Sequence, residues 1–246
     1  MERESIMPKA NVKIVRAPMA EVELLTATAL PARTIGTVSR VFKGTDDFEM
    51  STDSEEVEYF LDQINKTELQ GPLEFVSFVF SFKNVTRAFT HQLVRYRLGT
   101  SFVQESLRFT NKSNAMVLAT AEVCASQKNL NTYCRGVVAA VTAYQKLVDS
   151  GVPIQDARGL LPIHILTNIW ASLSLRTLIN IWGHRMCYQA QEGEWQLVLG
   201  QVKALLQKSH PQLIRFLVLP CDKGLPCPFA SKLDRPCPIH PEAQRR

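Results

Sequence analysis

The segment from Arg87 to Phe109 carries the residues of this chain that are best suited to bind an anion. It reads R-A-F-T-H-Q-L-V-R-Y-R-L-G-T-S-F-V-Q-E-S-L-R-F and contains four arginines. Arginine presents a planar fork of donors that matches phosphate oxygens, and several arginines in a small space repel one another unless an anion or carboxylates neutralise them. A run of charge can also be a solvated surface, but the apolar sequence just upstream favours a ligand site.

The elements that position this segment follow from hydrophobic periodicity. Within residues 74–82, the side chains of Val76, Phe78, Phe80 and Phe82 fall on one face at every second position, which predicts a buried strand. Asn84 or Thr86 can then cap a helix that extends to about Arg97.

The predicted helix places Arg87, His91 and Arg95, which are four residues apart, on one surface. Gly99, Thr100 and Ser101 would break this helix and turn the chain, so that residues 104–108 return to the same region. The sequence therefore predicts a pocket with phosphate donors on two walls.

A second set of polar residues interrupts the largely apolar segment 168–186. Arg176, Asn180 and His184 follow one another at intervals of four, so they form one polar line along a predicted buried helix. Buried polar groups need partners. Either an internal network with carboxylates or a ligand with many acceptors would provide them.

Length and composition indicate one domain, residues 1–219, followed by a Pro/Cys-rich tail, residues 220–246. The 246 residues are 46% hydrophobic and can bury a substantial core. The formal net charge of +5 suits anionic small molecules as well as nucleic acid. The first twenty residues lack the apolar core of a signal peptide, and no apolar run is long enough to span a membrane. The sequence therefore predicts a soluble, cytoplasmic protein without a membrane partner.

The tail combines three cysteines with a histidine. Cys221, Cys227, Cys237 and His240 offer three sulfurs and one imidazole, which is the ligand inventory of a structural zinc site. The first pair is separated by five residues, unlike the tight C-x-x-C knuckle of ordinary zinc modules. The alternative is a proline-stiffened tail with free thiols, since disulfides are not expected without a secretory signal.

Several familiar catalytic motifs are missing from the sequence. It contains no G-x-G-x-x-G, no G-K-[ST] loop, no G-x-S-x-G elbow and no H-E-x-x-H. Phosphate groups would therefore be held mainly by side chains.

Four ordered segments resemble the flavin-dependent thymidylate synthase family. The run S-F-V-F-S-F-K-N-V-T-R-A-F-T-H-Q-L-V-R-Y-R, followed by E-S-L-R-F, is similar to the region that carries the family motif R-H-R, seven residues and serine. Q-D-A-R-G-L-L-P is similar to E-D-A-R-x-x-L-P, and S-L-R-T-L-I-N-I-W-G-H-R is similar to N-A-R-x-L-x-x-F-x-x-L-R. E-G-E-W-Q-L-V is similar to A-Q-W-E-I, so the resemblance runs from Gly71 to Leu206.

The resemblance implies an α+β fold with an α/β core, an antiparallel sheet and long helices. It implies a homotetramer whose active sites, each holding FAD, are shared between subunits. The implied reaction is the methylation of dUMP to dTMP, with methylenetetrahydrofolate as carbon donor and NADPH as reductant. Because the reduced flavin supplies the hydride, no cysteine has to attack the pyrimidine ring.

The matched positions divide between two ligands. For the nucleotide, the resemblance implies phosphate contacts from Gln92, Ser106 and Arg108, and sugar and base contacts from Arg158 and Arg185. For the flavin, it implies contacts from Glu74, Arg95, Tyr96, Arg97, Ser174, Arg176, Asn180 and His184. The catalytic candidates are Arg185, which can polarise a pyrimidine carbonyl, and Ser106, which binds phosphate and is not a nucleophile.

The chain departs from the motif at Tyr96, which stands in place of the histidine, and in the loop before Ser106, which carries an insertion. Tyrosine can stack on flavin or folate but cannot carry positive charge near neutral pH. The nearest alternative is therefore a related flavoenzyme that acts on another pyrimidine nucleotide, such as a dCMP methylase or hydroxymethylase. A nucleic-acid-binding module is less well supported, because Phe78, Phe80 and Phe82 alternate as a core face rather than as an exposed stacking platform.

Overall fold

The computed structural model describes residues 12–44, 49–67, 69–187 and 193–225. It combines helices with an antiparallel sheet, so the predicted α+β fold class is confirmed. The described residues form two compact units, each assembled from separate stretches of chain. The first unit comprises the described parts of residues 1–20, 83–94 and 103–169, and the second those of residues 21–82, 95–102 and 170–246.

The strands within the described ranges are β1 (Lys13–Val15), β2 (Glu21–Ala27), β3 (Ser77–Thr86), β4 (Thr100–Gln104), β5 (Met116–Leu118) and β6 (Leu166–Ser174). Strands β2, β3, β6 and β4 form a four-stranded sheet in that order, and β1 pairs in parallel with β5. The helices are α1 (Pro31–Ser39), α2 (Ser54–Lys66), α3 (Arg87–Leu93), α4 (Ala121–Cys124), α5 (Gln127–Asp149), α6 (Ile154–Ala157), α7 (Leu175–Arg185) and α8 (Gly193–Ser209).

Strand β3 confirms the predicted buried strand. Phe78, Phe80 and Phe82 are each at most 2% exposed, as their alternation predicts. The strand begins later than predicted, because residues 71–75 form a 3-10 turn, and it continues through Thr86. Glu74 therefore precedes the strand.

Helix α3 is shorter than the sequence predicts. Its cap is Thr86, whose hydroxyl accepts a hydrogen bond from the Phe89 backbone N–H at 3.0 Å. The helix ends at Leu93, so the predicted extension to Arg97 is wrong. The predicted shared surface of Arg87, His91 and Arg95 is wrong for the same reason, since Arg95 lies beyond the helix.

The segment 168–186 is not one buried helix, as predicted, but the end of strand β6 followed by helix α7. Ser174 marks the junction, because its hydroxyl accepts a hydrogen bond from the Thr177 backbone N–H at 3.2 Å and caps α7. The apolar residues of the segment therefore belong to two elements with different periods.

In the first unit, helix α5 covers the two-stranded β1–β5 pair. Val137 and Val141 of α5 pack with Ala115, Val117 and Ile165 in one buried cluster. This core supports the residues that follow β4 and the turn around Arg158.

In the second unit, α1 packs against α2, and α8 lies along β2. Gly36 permits the close approach of α1 to α2, since a Cβ atom at this position would lie 3.0 Å from Val57 Cγ2. Helix α8 is joined to β2 by a hydrogen bond from the Val22 backbone N–H to Gln201 Oε1 at 3.0 Å.

The proposed boundary between residues 1–219 and the tail, residues 220–246, stays a prediction. Pro220 to Leu225 are described and include a 3-10 turn at residues 221–223. No helix in the described ranges is both long enough and apolar enough to cross a membrane.

Candidate active site

The loop that follows helix α3 is fixed against the start of helix α7 in the second unit. Leu98 O accepts a hydrogen bond from Thr177 Oγ1, and Gly99 O accepts one from the Ser174 backbone N–H at 2.8 Å. Gly99 has a φ of 61°, and a Cβ atom there would lie 2.5 Å from Ser174 Oγ. Glycine is therefore required here both by backbone conformation and by space.

A cavity of about 730 Å³ lies beside this loop, a volume typical of small-molecule sites. Five residues that the family resemblance assigns to the flavin line it, namely Glu74, Ser174, Arg176, Asn180 and His184. The three remaining residues, Arg95, Tyr96 and Arg97, immediately precede Leu98 and Gly99 of the same lining.

Helix α7 presents its polar line to this cavity rather than to the core. Arg176, Asn180 and His184 are exposed side chains that line the cavity, so the predicted burial of the line is wrong. Its equal spacing by four did predict correctly that the three side chains share one surface. The apolar side of the same helix supplies the core through residues such as Leu178 and Ile181.

Arg176 pairs with a carboxylate at the edge of the cavity. Its Nη1 atom lies 3.0 Å from Glu74 Oε1, and the two side chains are 46% and 59% exposed. An ion pair this exposed adds little to stability. Its arginine can therefore serve as a donor to a ligand phosphate or ring oxygen at small cost to the fold.

Tyr96 and Arg185 meet in the second unit. Arg185 Nε donates a hydrogen bond to the Tyr96 hydroxyl at 3.0 Å, and its guanidinium carbon lies 5.6 Å from the centre of the Tyr96 ring. The same carbon lies 5.2 Å from the Trp195 ring of helix α8. The Tyr96 ring also stacks on His184, with 6.3 Å between ring centres.

His184 is held toward its neutral form. Although the side chain is largely exposed, partial desolvation of its imidazole lowers its pKa below the ordinary value, and the positive charge of the adjacent Arg185 lowers this pKa further. The cavity wall therefore places an imidazole that is biased toward its neutral form beside the Arg185 guanidinium.

The phosphate residues implied by the resemblance, Gln92, Ser106 and Arg108, all belong to the first unit, as does Arg158. Ser106 Oγ accepts a hydrogen bond from the Arg108 backbone N–H at 3.2 Å, and Arg108 Nη2 donates to Gln155 Oε1 at 3.1 Å. These contacts bring the Ser106 turn and the helix that precedes Arg158 together. Arg185, the fifth nucleotide residue of the prediction, belongs to the second unit with the flavin set.

Arg87 adds a further cation to the first unit. Burial lowers the pKa of its guanidinium, and the nearby charge of Arg158 lowers it further, whereas Glu105 raises it. The Glu105 carboxylate is also engaged by Lys112, with 2.6 Å between Oε1 and Nζ. Arg87 and Arg158 thus repel each other, and the Glu105 carboxylate near them is already paired with Lys112. A bound anion would therefore stabilise this group of charges.

Some residues of the site were not among those assigned from the sequence. Arg87 stood in the arginine-rich segment but was given no ligand, because its proximity to Arg158, which is distant in sequence, leaves no local signal. Gln70, Pro220 and Leu225 also line the cavity and lie outside the four matched segments, whereas Gly183 lies within one of them at a position that the family pattern leaves open.

The zinc prediction concerns residues that mostly lie outside the described ranges, namely Cys227, Cys237 and His240. Cys221 is described and begins the 3-10 turn at residues 221–223. Within the described ranges, no group of three or more histidine, cysteine or acidic residues is arranged to hold a metal ion.

The residues around the cavity fit a flavin. Leu98 and Ile179 offer apolar surface for a flat ring, and Arg176 and Asn180 offer donors at its edge. The described residues thus provide a mixed apolar and cationic cavity in one unit, and in the other unit the residues for which the resemblance implies phosphate contacts.

Comparison with known proteins identifies the family to which this architecture belongs. Residues 23–212 match the family model described as thymidylate synthase complementing protein. The flavin-dependent thymidylate synthase of Geobacter sulfurreducens is 31% identical over 85% of this chain and 90% of its own length. The enzymes of the same name from Clostridium tetani and Saccharolobus solfataricus are 26% and 30% identical, over 83% and 73% of this chain and 89% and 68% of their own lengths.

Solved structures share the fold. The UMP/dUMP methylase PolB from Streptomyces cacaoi, bound with 5-Br dUMP, superposes with a TM-score of 0.71 at 20% identity, over 84% of this chain and 97% of its own. The same protein bound with 5-Br UMP gives a TM-score of 0.65 at 18% identity over the same shares of the two chains.

The chain therefore belongs to the flavin-dependent thymidylate synthase family, and the family predicted from its four motifs is confirmed. It is an enzyme of the FAD-dependent, methyl-transferring kind, as predicted.

Proposed function

We propose that the protein methylates dUMP to dTMP, with methylenetetrahydrofolate as the carbon donor and NADPH as the reductant. The observation that carries this proposal is the co-location of Glu74, Ser174, Arg176, Asn180 and His184 around one cavity, in a chain of this family. FAD, when bound, supplies the redox chemistry of the reaction. The side chains of this protein bind and orient the two ligands.

In the proposed flavin site, Arg176 and Asn180 donate hydrogen bonds to the ring or to its phosphates. Leu98 and Ile179 cover apolar ring surface and exclude water from it. Arg95 and Arg97 flank Tyr96 in the loop that Ser174 and Thr177 anchor, and we assign their charges to the flavin phosphates.

In the proposed nucleotide site, Ser106, Arg108 and Gln92 hold the phosphate, and Arg158 reaches the sugar. We add Arg87 to this group, because its lowered pKa reflects a desolvated cation beside Arg158 that gains from a bound dianion.

Arg185 is the proposed contact to the pyrimidine. A guanidinium that donates to a ring carbonyl stabilises the negative charge that develops in the ring when its carbon attacks the donor. Because Arg185 is permanently charged, it can do this without a proton transfer.

A second candidate substrate is UMP, because the structural neighbour with the TM-score of 0.71 is described as a UMP/dUMP methylase. Tyr96 in place of the motif histidine is compatible with altered pyrimidine choice, so dCMP is also tested. The relative activity of the enzyme on dUMP, UMP and dCMP then identifies its substrate.

We further propose that the active enzyme is a homotetramer. Large apolar side chains stand exposed on the strands of the sheet and in the triplet loop, which we define as residues 94–99, the loop that carries Arg95, Tyr96 and Arg97. Trp170 is 54%, Val103 76% and Leu98 86% exposed. Apolar surface of this kind is typical of subunit contacts. Light scattering should then give the mass of four chains of 27.7 kDa each.

The decisive experiment begins with the purified protein supplied with FAD, NADPH, methylenetetrahydrofolate and, in parallel, dUMP, UMP or dCMP. The expected result is a flavin spectrum that bleaches with NADPH and formation of dTMP from dUMP. Methylation of UMP or dCMP at a higher kcat/KM than dUMP would replace the proposed substrate. A protein that binds no FAD and yields no methylated nucleotide would refute the proposal.

A further inference from the structure

Tyr96 occupies the position at which the family motif carries histidine, and its hydroxyl is bonded to a second residue of the site. The Tyr96 hydroxyl accepts a hydrogen bond from Arg185 Nε at 3.0 Å. This bond uses Nε and neither of the terminal Nη atoms. It therefore restrains the plane of the guanidinium.

The Arg185 side chain is restrained by aromatic surfaces as well. Its guanidinium carbon lies 5.6 Å from the Tyr96 ring centre and 5.2 Å from the Trp195 ring centre. Both distances lie within the range of a cation–π interaction. His184 stacks on Tyr96 with an angle of 26° between the rings, so the tyrosine itself is held in place.

The main chain that carries Tyr96 is anchored independently of Arg185. Tyr96 O accepts a hydrogen bond from Thr100 Oγ1 at 2.8 Å, and the following residues are joined to the start of α7 through Ser174 and Thr177. The loop is thus tied to one end of α7 by hydrogen bonds to its Leu98 and Gly99 carbonyls and to the other end by the Tyr96 hydroxyl. Because its main chain is held in this way, Tyr96 can restrain the direction of the Arg185 side chain.

We infer that Tyr96 is a positioning residue that orients Arg185 toward the pyrimidine nucleotide, rather than chiefly a contact to the flavin. This inference rests on the proposed function of Arg185 in binding the base. A tyrosine hydroxyl accepts such a hydrogen bond without carrying a positive charge of its own. The family histidine, by contrast, loses its acceptor and becomes a second cation when it is protonated.

The variant Tyr96→Phe isolates the hydroxyl, because it keeps the ring that stacks on His184 and faces Arg185. We expect the dissociation constant and the KM for dUMP to rise about tenfold, the effect of losing one hydrogen bond to a charged group. We expect kcat to fall by less than about threefold, since saturating nucleotide re-orients the arginine. FAD affinity should stay within about twofold of the wild-type value. Tyr59→Phe on α2 removes a hydroxyl outside the cavity and is the matched control.

The double variant Tyr96→Phe with Arg185→Ala decides the mechanism. If the tyrosine acts through the arginine, its substitution adds nothing to dUMP affinity once Arg185 is gone. Additive losses, or a loss of FAD affinity in Tyr96→Phe that exceeds its loss of dUMP affinity, would overturn the inference while leaving the proposed function intact. A wild-type protein that binds FAD but not dUMP would overturn both.

Discussion

Arg176 Nη1 lies 3.0 Å from Glu74 Oε1 at the edge of the cavity, and this pair joins helix α7 to the turn that precedes strand β3. Both side chains keep about half of their surface exposed. The pair therefore holds the arginine in a defined place while leaving its surface accessible to a ligand.

Arg176→Ala is expected to weaken FAD binding by about ten- to a hundredfold, because one or two charge-assisted hydrogen bonds to the flavin are lost. The melting temperature should change by no more than a few degrees, since the ion pair with Glu74 is exposed. Flavin titration and calorimetry measure the two effects.

Arg215→Ala is the control for that variant. Arg215 Nη2 lies 2.6 Å from Glu58 Oε1, and neither residue lines the cavity. This variant should leave FAD affinity unchanged. Equal FAD affinity in Arg176→Ala and Arg215→Ala would remove Arg176 from the flavin site.

Gly99→Ala is expected to disturb the triplet loop severely. The φ of 61° alone costs about 1–2 kcal/mol with a Cβ atom, and the overlap with Ser174 Oγ adds to this. We expect the affinity for FAD, the affinity for dUMP and the free energy of unfolding all to decrease in this variant.

Gly44→Ala separates the two causes, since Gly44 has a φ of 68° but open space around its Cα atom. It should show only the conformational cost. If both variants lose the same free energy in urea denaturation, crowding against Ser174 contributes nothing.

Arg108→Ala is expected to raise the KM for dUMP at least tenfold with little change in stability, because its guanidinium is exposed and its bond to Gln155 lies at the surface. Arg135→Ala on α5 removes an exposed arginine of the same unit and should leave the KM unchanged. A phosphate-free ligand such as deoxyuridine should bind wild type and Arg108→Ala equally. An unchanged KM for dUMP in Arg108→Ala would place the phosphate elsewhere.

The pKa of His184 predicts how acid affects stability. Because the folded state lowers this pKa, the unfolded chain binds the proton more readily, and stability falls as the pH drops below the unfolded value of about 6.5. His184→Gln should reduce the loss of melting temperature between pH 7 and pH 5. His210 contributes with the same sign through burial, so the double variant with His210→Gln should be less acid-sensitive still. Melting curves of His184→Gln that stay parallel to wild type across this pH range would contradict the assignment.

The sequence predicted the elements whose side chains alternate or repeat without interruption. Strand β3 follows from F-V-F-S-F, and the shared surface of Arg176, Asn180 and His184 follows from their spacing. The end of α3 was missed, because contacts of Leu98 and Gly99 with α7 override a local pattern that would continue the helix. The exposure of Arg176, Asn180 and His184 was missed because the end of strand β6 is as apolar as helix α7. The two elements therefore resembled one buried helix in the sequence.

The assignment of the motif residues to two compact units could not be foreseen from the motif itself. The triplet with Tyr96 and the Ser106 turn are only a few residues apart in sequence, yet they belong to different compact units. The chain passes from one unit to the other within strand β4, between Phe102 and Val103. The single pocket with two walls stays a prediction.

The Ser174 hydroxyl caps helix α7 and fills the space that a side chain at Gly99 would need. The two positions are consequently coupled under mutation. A larger residue at position 99 demands the removal of the hydroxyl at position 174, and removal of that hydroxyl leaves the first turn of α7 uncapped. A substitution at either position alone would therefore be unfavourable. The pair limits sequence variation in the triplet loop, even though Tyr96 within that loop already differs from the family histidine.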